Sequence, residues 1–393
     1  MPITHEGQSG FILHDPLALS DKTLFLPRKL APALALCNGT RDLASVHAAL
    51  MIRFGIRVPL KALEQLADQL DRACLLDNER SAAAHDAALA AYRDAPFRPL
   101  LLAGVNYTAD PDELSAFLTG FEIDLAADVR ASETDAGVRA IICPHIDYQR
   151  GGRVYAGLWR RAAEAARRAE QIIILGTDHN GGRLFTLTRQ NYATPWGVLP
   201  TSSSIVGALA KIIGPEKAFR HELYHRIEHS IELAVVWLHA VLGDRTPELV
   251  PILVGSFQQF INSHQEPEQN KEFMAVAKMI QEISSQKPTL IIAAADLAHM
   301  GPAFAGQPLD FAGRARLREA DNQLLQAICQ GDSKAFFGQI KAEGDSRNIC
   351  GLPPISLALQ ALGQTRGQIT GYEICPADQS NTSSVSVAGV LLW

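Results

Sequence analysis

The stretch VRAIICPHIDYQRGG, residues 138–152, decides the fold: an apolar, β-branched run stops at Pro144 and presents His145. Two later stretches have the same design, QIIILGTDHN at residues 171–180 and TLIIAAADLAHMG at residues 289–301. Continuously apolar runs of this kind are typical of parallel strands that are buried on both faces of a sheet. Open α/β sheets bind ligands beyond the carboxyl ends of such strands, so we expect the histidines that follow the three runs to converge.

The segments between these runs predict helices that cross from one parallel strand to the next. Residues 151–170 carry apolar side chains on one face and arginines on the other, and residues 271–286 predict a second crossover helix. Residues 100–105 predict an opening strand, residues 250–255 another buried strand, and the carboxyl end of the chain late strands. This βαβ alternation predicts an α/β fold with a mainly parallel sheet flanked by helices.

The first 77 residues predict a small separate domain. A short hairpin is followed by apolar residues at helical spacing in residues 40–55 and by a second amphipathic helix in residues 60–76. Two such helices behind a small β element are typical of a winged-helix-like module. Residues 78–97 are rich in alanine and polar residues, which predicts a linker or a solvated connecting helix. The α/β domain then occupies residues 98–393.

Composition excludes several classes of protein. Lysine and arginine number 36 against 42 acidic residues and form no dense basic stripe, which argues against nucleic acid as a partner. The six cysteines have no CxxC spacing, as expected for reduced thiols rather than a disulfide framework. The first residues lack the blocks of a signal peptide, and no apolar run approaches the roughly 20 residues of a membrane span. We therefore expect a cytoplasmic protein that binds neither nucleic acid nor membrane.

Histidines at equivalent strand ends indicate a metal site. Neutral imidazole suits zinc, iron and copper, and two histidines with one carboxylate or thiolate leave coordination positions open for substrate. One histidine after a strand is more often a hydrogen-bonded turn residue, whereas three at equivalent strand ends favour a site. The candidates are His145, His179, His299, the nearby carboxylate of Asp296, and Cys350 in a loop bracketed by glycine and proline that can reach the same edge.

Two acidic residues stand beside the candidate ligands. Asp147 follows the first histidine by two positions, and Asp178 precedes the second. Such carboxylates either orient imidazoles through the free ring nitrogen or cap the loops in which the strands end. The sequence leaves both roles open.

A competing motif is formed by His225, Glu228 and His229, which spell HRIEH, the HxxEH order of inverted zinc proteases. In that class two ligands one helical turn apart flank a catalytic acid. The match is short and arises easily by chance. His229 stands at the predicted start of a helix near the proposed site. There it is suited to act as an acid/base group that faces the substrate, or to hydrogen-bond to the metal ligands.

The second domain resembles the Memo family, the proteins known as protein B of the bacterial AmmeMemoRadiSam system. The resemblance covers roughly residues 101–393 and rests on the order of several blocks. These blocks are AGVNYTADPDEL, PHIDYQRGG, LGTDHN, EHSIEL, VPILVG, ADLAHMG and ICGLPPI. The resemblance implies a fold similar to class III extradiol dioxygenases, with a metal site between the strand ends.

The resemblance also implies roles for individual residues. The family's metal ligands fall on His145, His179 and Cys350, and the implied cofactor is a divalent ion, iron or copper, with zinc as the alternative. The residues that would position substrate or transfer protons are His229, Asp296 and His299. A radical SAM protein and an AMMECR-like protein are the implied partners.

The chain departs from the usual pattern of the family beside two of the implied ligands. After the first histidine, this chain has Ile146 and Asp147 where the family usually has a small residue and glycine. Before the second histidine it has Thr177 and Asp178 where proline and serine are usual, and after it Asn180 where a second histidine is common. The ligand types are retained. The two added carboxylates are expected to make the pocket more acidic and to change metal preference and substrate.

The first domain resembles PqqD-like domains, which capture leader peptides in related systems, in its order of apolar positions and its NGT turn. A plain helical adaptor is the other interpretation. For the whole chain we expect a metal-dependent redox or oxygenase-like enzyme that acts on an unknown small molecule or peptide. The alternative is a non-catalytic binding protein that works with a radical SAM partner or captures a peptide.

Overall fold

The computed structural model of the protein describes residues 2–5, 7–123, 135 and 137–393, with the backbone alone for residues 2–5. The chain divides into two units, Met1–Asp94 and Ala95–Trp393, here called the N-terminal unit and the C-terminal unit.

The N-terminal unit combines a small antiparallel sheet with helices. The α2 helix begins where the side chain of Asp42 accepts the Ser45 N–H, and it ends at Gly55, whose φ of 64° suits glycine. Val46 and Leu50 bury its inner face. Residues 79–94, in the segment between the two predicted domains, are helical. The elements are β1 (Pro2–His5), β2 (Gln8–Leu13), β3 (Leu24–Pro27), α1 (Ala31–Leu36), α2 (Leu43–Phe54), α3 (Leu60–Arg72) and α4 (Glu79–Asp94).

The C-terminal unit alternates helices with strands. Its elements are α5 (Pro111–Ile123), β4 (Ala140–Cys143), α6 (Tyr148–Arg168), β5 (Gln171–Thr177), β6 (Phe185–Leu187), β7 (Tyr192–Thr194), β8 (Gly197–Leu199), α7 (Ser203–Ile213), α8 (Pro215–Phe219), α9 (Tyr224–Ile227), α10 (Ser230–Leu242), β9 (Glu248–Val254), α11 (Gln258–Ile261), α12 (Lys271–Gln286), β10 (Thr289–Ala294), β11 (His299–Met300), α13 (Phe311–Cys329), α14 (Ser333–Ala342), α15 (Leu352–Leu362), β12 (Gly367–Pro376) and β13 (Ser384–Leu392). In the described part of the chain, no helix has both the length and the apolarity to cross a membrane.

The three quoted apolar runs form neighbouring strands of one sheet. The strand order is β11-β13-β4-β10-β5-β9-β6, with β12 also paired to β13. Strands β4, β10, β5 and β9 are mutually parallel, and the strands outside them are antiparallel. The register places Ala294 opposite both Cys143 and Gly176, so the three runs end at the same level. The predicted α/β fold with a mainly parallel sheet is confirmed, and the loops that carry the histidines leave from one edge.

Both faces of the sheet are covered, which explains why the strands are apolar at every position. In β10, Leu290 and Ile292 pack in a core with α6 and α10, whereas Ile291 and Ala293 pack in a second core with α12 and α15. Each core removes alternate side chains of the same strand from water. The sheet is therefore held rigidly between two helical layers.

One predicted strand is absent from the described structure. Residues 100–105 form bends and turns instead, with one isolated bridge between Ala103 and Tyr107. The amides of Leu101 and Leu102 donate to the buried carboxylate of Glu232, which takes the place of a neighbouring strand as hydrogen-bond acceptor. The prediction was wrong because an apolar run does not show whether its amides meet a strand or a side chain.

Candidate metal centre

Three histidines from separate loops lie together at the carboxyl edge of the sheet. His145 follows β4, His179 follows β5, and His229 occupies the N-cap of α10. The ring centroids lie 5.1 Å apart for His145 and His179, 5.4 Å for His145 and His229, and 4.9 Å for His179 and His229. One ring nitrogen of each histidine lies within 4.8 Å of the other two. We call this group the histidine cluster.

Glu228 orients two rings of the histidine cluster. Its Oε1 lies 3.0 Å from Nδ1 of His179 and 3.2 Å from Nδ1 of His229, and it also accepts the backbone N–H of Ser230. Burial alone would raise the pKa of Glu228, but the two histidines outweigh this effect and hold the pKa well below its ordinary value. The sequence analysis considered Glu228 only as part of the protease motif and did not predict that it orients histidines. Its position directly before His229 in the EHSIEL block could have indicated this role.

The remaining ring is oriented by the backbone. Nδ1 of His145 donates to the carbonyl oxygen of Ala294 at 2.9 Å, so Nδ1 of every ring in the cluster faces an oxygen. This leaves Nε2 of each ring as the nitrogen with the lone pair, which in His145 faces the thiol of Cys350. Metal-binding histidines are commonly fixed in this way by a carboxylate or carbonyl. Burial, followed by the charges of His179 and His229, lowers the pKa of His145 well below its ordinary value, which favours the neutral, ligating form. The donor set fits a borderline divalent metal.

Cys350 borders the histidine cluster. Its Sγ lies 3.2 Å from Nε2 of His145 and 3.8 Å from the carbonyl oxygen of Asp296. Burial, together with the charge of Asp296, raises the pKa of the Cys350 thiol well above its ordinary value. The position of the thiol permits the ligand role that the resemblance implies, while His229, expected to serve substrate, lies in the cluster itself.

Asp296 ties the loops of the site to the end of β10. Its Oδ1 accepts the backbone N–H of His145 at 2.8 Å and of Ile146 at 3.3 Å, and its carbonyl oxygen accepts the N–H of Gly351 at 3.0 Å. Burial raises the pKa of this carboxyl group. Asp296 thus fixes both the His145 loop and the Cys350 loop.

His299 lines a cavity whose described lining does not include the histidine cluster. Its Nδ1 is 3.2 Å from the carbonyl oxygen of Leu297, and its backbone N–H donates to the carbonyl oxygen of Arg347 at 2.7 Å. The residue lines a cavity of about 500 Å³ together with Met300 and Leu309. Burial lowers the pKa of His299, which keeps a neutral imidazole beside this cavity. Among the described residues, the group with metal-ligand spacing includes His229 and not His299.

A sequence profile of Memo-like proteins matches residues 98–391. The chain belongs to the Memo family. A MEMO1 family protein of Thermus thermophilus is 27% identical over 340 residues, which cover 85% of this chain and 94% of that protein. A MEMO1 family protein of Aquifex aeolicus is 25% identical over 396 residues, 98% of this chain and 96% of that protein. One from Methanosarcina barkeri is 25% identical over 296 residues, 72% of this chain and 92% of that protein.

The two acidic residues beside the candidate ligands of this Memo-family chain cap loops. Asp147 is the N-cap of α6, where it accepts the N–H of Arg150 and pairs with the Arg150 guanidinium at 2.6 Å. Asp178 accepts the N–H groups of Asn180 at 3.1 Å and Gly181 at 2.7 Å. In the described part of the chain, the imidazoles of the cluster are hydrogen-bonded by Glu228 and a backbone carbonyl rather than by these two carboxylates.

The inverted-protease motif is not a metal site in this Memo-family protein. His225 lies in α9, Glu228 adopts an extended conformation with ψ of 129°, and His229 begins the next helix. Both ring nitrogens of His225 are engaged, Nδ1 with the Tyr192 hydroxyl at 2.8 Å and Nε2 with the carbonyl oxygen of Thr186 at 3.0 Å. The histidines therefore do not share a helix face, and His225 has no nitrogen left for zinc.

Proposed function

We propose that this Memo-family protein is a cytoplasmic, metal-dependent redox enzyme with oxygenase-like chemistry, acting on a small molecule or a peptide. The observation that carries the proposal is the histidine cluster, in which each Nδ1 faces an oxygen and one ring nitrogen of each histidine lies within 4.8 Å of the others. Histidines that meet by chance on a surface rarely have this geometry. It requires three loops and a buried carboxylate to come together at one place.

In this proposal the divalent ion is iron or copper, with zinc as the alternative. His145, His179 and His229 hold it through Nε2, and Cys350 is the adjacent thiol that can complete the ligand set. A bound iron or copper ion would supply Lewis acidity and one-electron redox chemistry.

The chain's own residues have distinct parts in the proposed reaction. Glu228 holds two ligand rings, and Asp296 holds the loops of His145 and Cys350. His299 has its Nδ1 at a carbonyl oxygen, which leaves Nε2 to accept a proton from a group in its cavity. Its lowered pKa, caused by burial, keeps it in the basic form at neutral pH.

Metal content of anaerobically purified protein tests the proposal. Wild-type protein is expected to contain close to one metal ion per chain, and the double variant His145→Ala/His179→Ala is expected to lose it while retaining its circular dichroism spectrum. The exposed His264 provides the matched control, because His264→Ala removes an imidazole far from the cluster in sequence. A double variant that folds normally and keeps both metal and activity would show that the cluster is not the metal centre.

A binding role for the N-terminal unit is a second candidate function. A cavity of about 530 Å³ in this unit is lined by leucines of α3, among them Leu63, Leu66 and Leu70, with Arg41 and Asp42 at α2. This lining suits an amphipathic peptide segment or a partner such as the radical SAM or AMMECR-like protein. Co-purification with these proteins should be weakened by Leu66→Asp; unchanged recovery would count against the candidate.

A further inference from the structure

The break between helices α9 and α10 determines where Glu228 lies. Glu228 follows α9 with an extended backbone, ψ of 129°, and α10 begins at Ser230. In an unbroken helix the carbonyl oxygen of His225 would accept the N–H of His229, four residues further on. Here the N–H of His229 donates instead to Oε1 of Glu228 at 2.9 Å. The break therefore leaves the carbonyl oxygen of His225 in need of another donor.

Arg98 supplies this donor from a position distant in sequence. Its side chain is fully buried, and its Nε donates to the carbonyl oxygen of His225 at 2.6 Å. Its Nη2 donates to the carbonyl oxygen of Glu228 at 2.9 Å. Arginine suits this place because the last carbonyl groups of a helix lack partners within the helix. One planar guanidinium thus fixes the backbone of Glu228 relative to α9.

The guanidinium of Arg98 is itself held by a buried carboxylate. Its Nη1 forms an ion pair with Oε2 of Glu232, which lies on α10, and neither side chain is more than 1% exposed. Glu232 also accepts the N–H groups of Leu101 and Leu102 and, at 2.6 Å, the hydroxyl of Tyr107. A buried pair with this many hydrogen bonds has little freedom to move. The position of Arg98 is therefore set independently of the histidine cluster.

We infer that Arg98 is a positioning residue of the candidate metal centre: by holding the backbone of Glu228, it sets where the Glu228 carboxylate meets the rings of His179 and His229. The inference rests on the proposed function for the metal and adds a residue that acts at one remove from the ligands. Oε1 of Glu228 lies 3.0 Å from Nδ1 of His179 and 3.2 Å from Nδ1 of His229. A shift of the Glu228 backbone would move this shared oxygen away from one ring or both.

The variant Arg98→Lys tests the inference in the full chain. Lysine keeps the charge, but its compact ammonium does not reproduce a planar group that donates to His225, Glu228 and Glu232 together. The variant should bind Co²⁺ about tenfold or more weakly than wild type, because a loosened Glu228 no longer orients two of the ligand rings. The ligand-field spectrum of the bound Co²⁺ should change as well.

Arg161 provides the matched control. It forms a second buried ion pair, 2.6 Å from Asp135, and in the described structure its guanidinium contacts that carboxylate rather than Glu228. Arg161→Lys should lower the urea midpoint of unfolding, as Arg98→Lys does, but should leave the affinity for Co²⁺ and its spectrum unchanged. If both lysine variants fold and bind Co²⁺ as wild type does, Arg98 has a structural role alone and the inference is wrong.

Histidine NMR of metal-free protein separates the inference from the proposed metal function. With isotope-labelled histidine, the ring-nitrogen signals of His179 and His229 should shift in Arg98→Lys and stay in place in Arg161→Lys. Arg98→Gln/Glu232→Gln removes both charges together, leaves no buried charge unpaired, and replaces the lysine variant if that variant does not fold. Unchanged signals in a folded Arg98 variant overturn the inference. Shifted signals in a protein that binds no metal would contradict the proposed function alone.

Discussion

Glu228 is the residue on which the geometry of the candidate centre depends most. One buried carboxylate contacts Nδ1 of both His179 and His229, and its pKa is held well below its ordinary value by these histidines against the opposing effect of burial. A shared anion of this kind sets the tautomer and the orientation of two rings together. The charge of Glu228 therefore acts on the two imidazole rings that it contacts.

Neutralising Glu228 should weaken metal binding without removing a ligand. We expect Glu228→Gln to lower metal affinity by about 10- to 100-fold, the range found when a partner of a metal-binding histidine is lost. Chelator competition measures this change. The exposed Glu216 supplies the control Glu216→Gln, which should bind metal as wild type does. Equal affinity for the wild type and Glu228→Gln would exclude the orienting role.

Cys350 and His229 can be distinguished by cobalt substitution. If the thiol of Cys350, 3.2 Å from Nε2 of His145, is a ligand, Co²⁺-loaded protein should show a thiolate charge-transfer band that Cys350→Ser removes. His229→Ala should lower affinity but retain the band. Cys375, which is buried and donates to a backbone carbonyl, offers the matched control Cys375→Ser. A spectrum that Cys350→Ser leaves unchanged would restrict the ligand set to histidines.

At the scale of elements, the strands and the loops differ in how far the sequence determines them. Strands β4, β5 and β10 were predictable because burial on both faces demands continuously apolar runs, and their common direction follows from the crossover helices. The convergence of His145 and His179 followed from that topology. The sheet topology was thus sufficient to predict that these two histidines lie close together.

The loops were harder to predict, because their conformation depends on contacts far away in sequence. The extended backbone of Glu228 separates α9 from α10 and brings His229 into the cluster, whereas the pattern HRIEH suggested one helix. The Cys350 loop contains Asp345 and Asn348 at positive φ of 52°, a conformation that local pattern does not reveal. Helix α7 also escaped prediction.

Helix α9 should make the C-terminal unit sensitive to acid. Burial lowers the pKa of His225 from 6.5 to about 3 in the folded protein. Between these values the unfolded chain takes up a proton that the folded protein excludes, so the free energy of unfolding should fall by up to about 1.4 kcal/mol per pH unit as the pH decreases. Above pH 6.5 the contribution of the neutral imidazole is complete.

Urea unfolding from pH 7 to pH 4 measures this dependence. The variant His225→Gln, although less stable at neutral pH, should lose stability with falling pH less steeply than wild type, because it has no group to protonate. Exposed His264→Gln should reproduce the wild-type slope. Parallel slopes for His225→Gln and wild type would contradict the assignment of a neutral, buried His225.

At the scale of the molecule, the division of the chain agrees with the extent of the family match. The C-terminal unit begins at Ala95 and the Memo match at residue 98, while the Aquifex aeolicus relative aligns over 98% of the chain. The histidine cluster, Glu228 and Cys350 all belong to the C-terminal unit. All the candidate ligands therefore lie in one unit of the chain.

Removing the N-terminal unit should leave metal binding unchanged. A fragment of residues 95–393 is expected to fold, because both of its cores lie inside the C-terminal unit, and to contain as much metal per chain as the full-length protein. Circular dichroism and metal analysis of the fragment and the full chain provide the comparison. A folded fragment that lacks metal present in the full chain would assign the N-terminal unit a part in the centre.

The level register of Cys143, Gly176 and Ala294 has a consequence for how such proteins diverge. Each loop is attached to a common rim, so a substitution in one loop can alter the chemistry offered to substrate while the packed layers beneath it stay as they are. Asp178, which follows β5, occupies a position of this kind. Descendants of one ancestral scaffold could thus acquire different substrates by altering only a few positions along that rim.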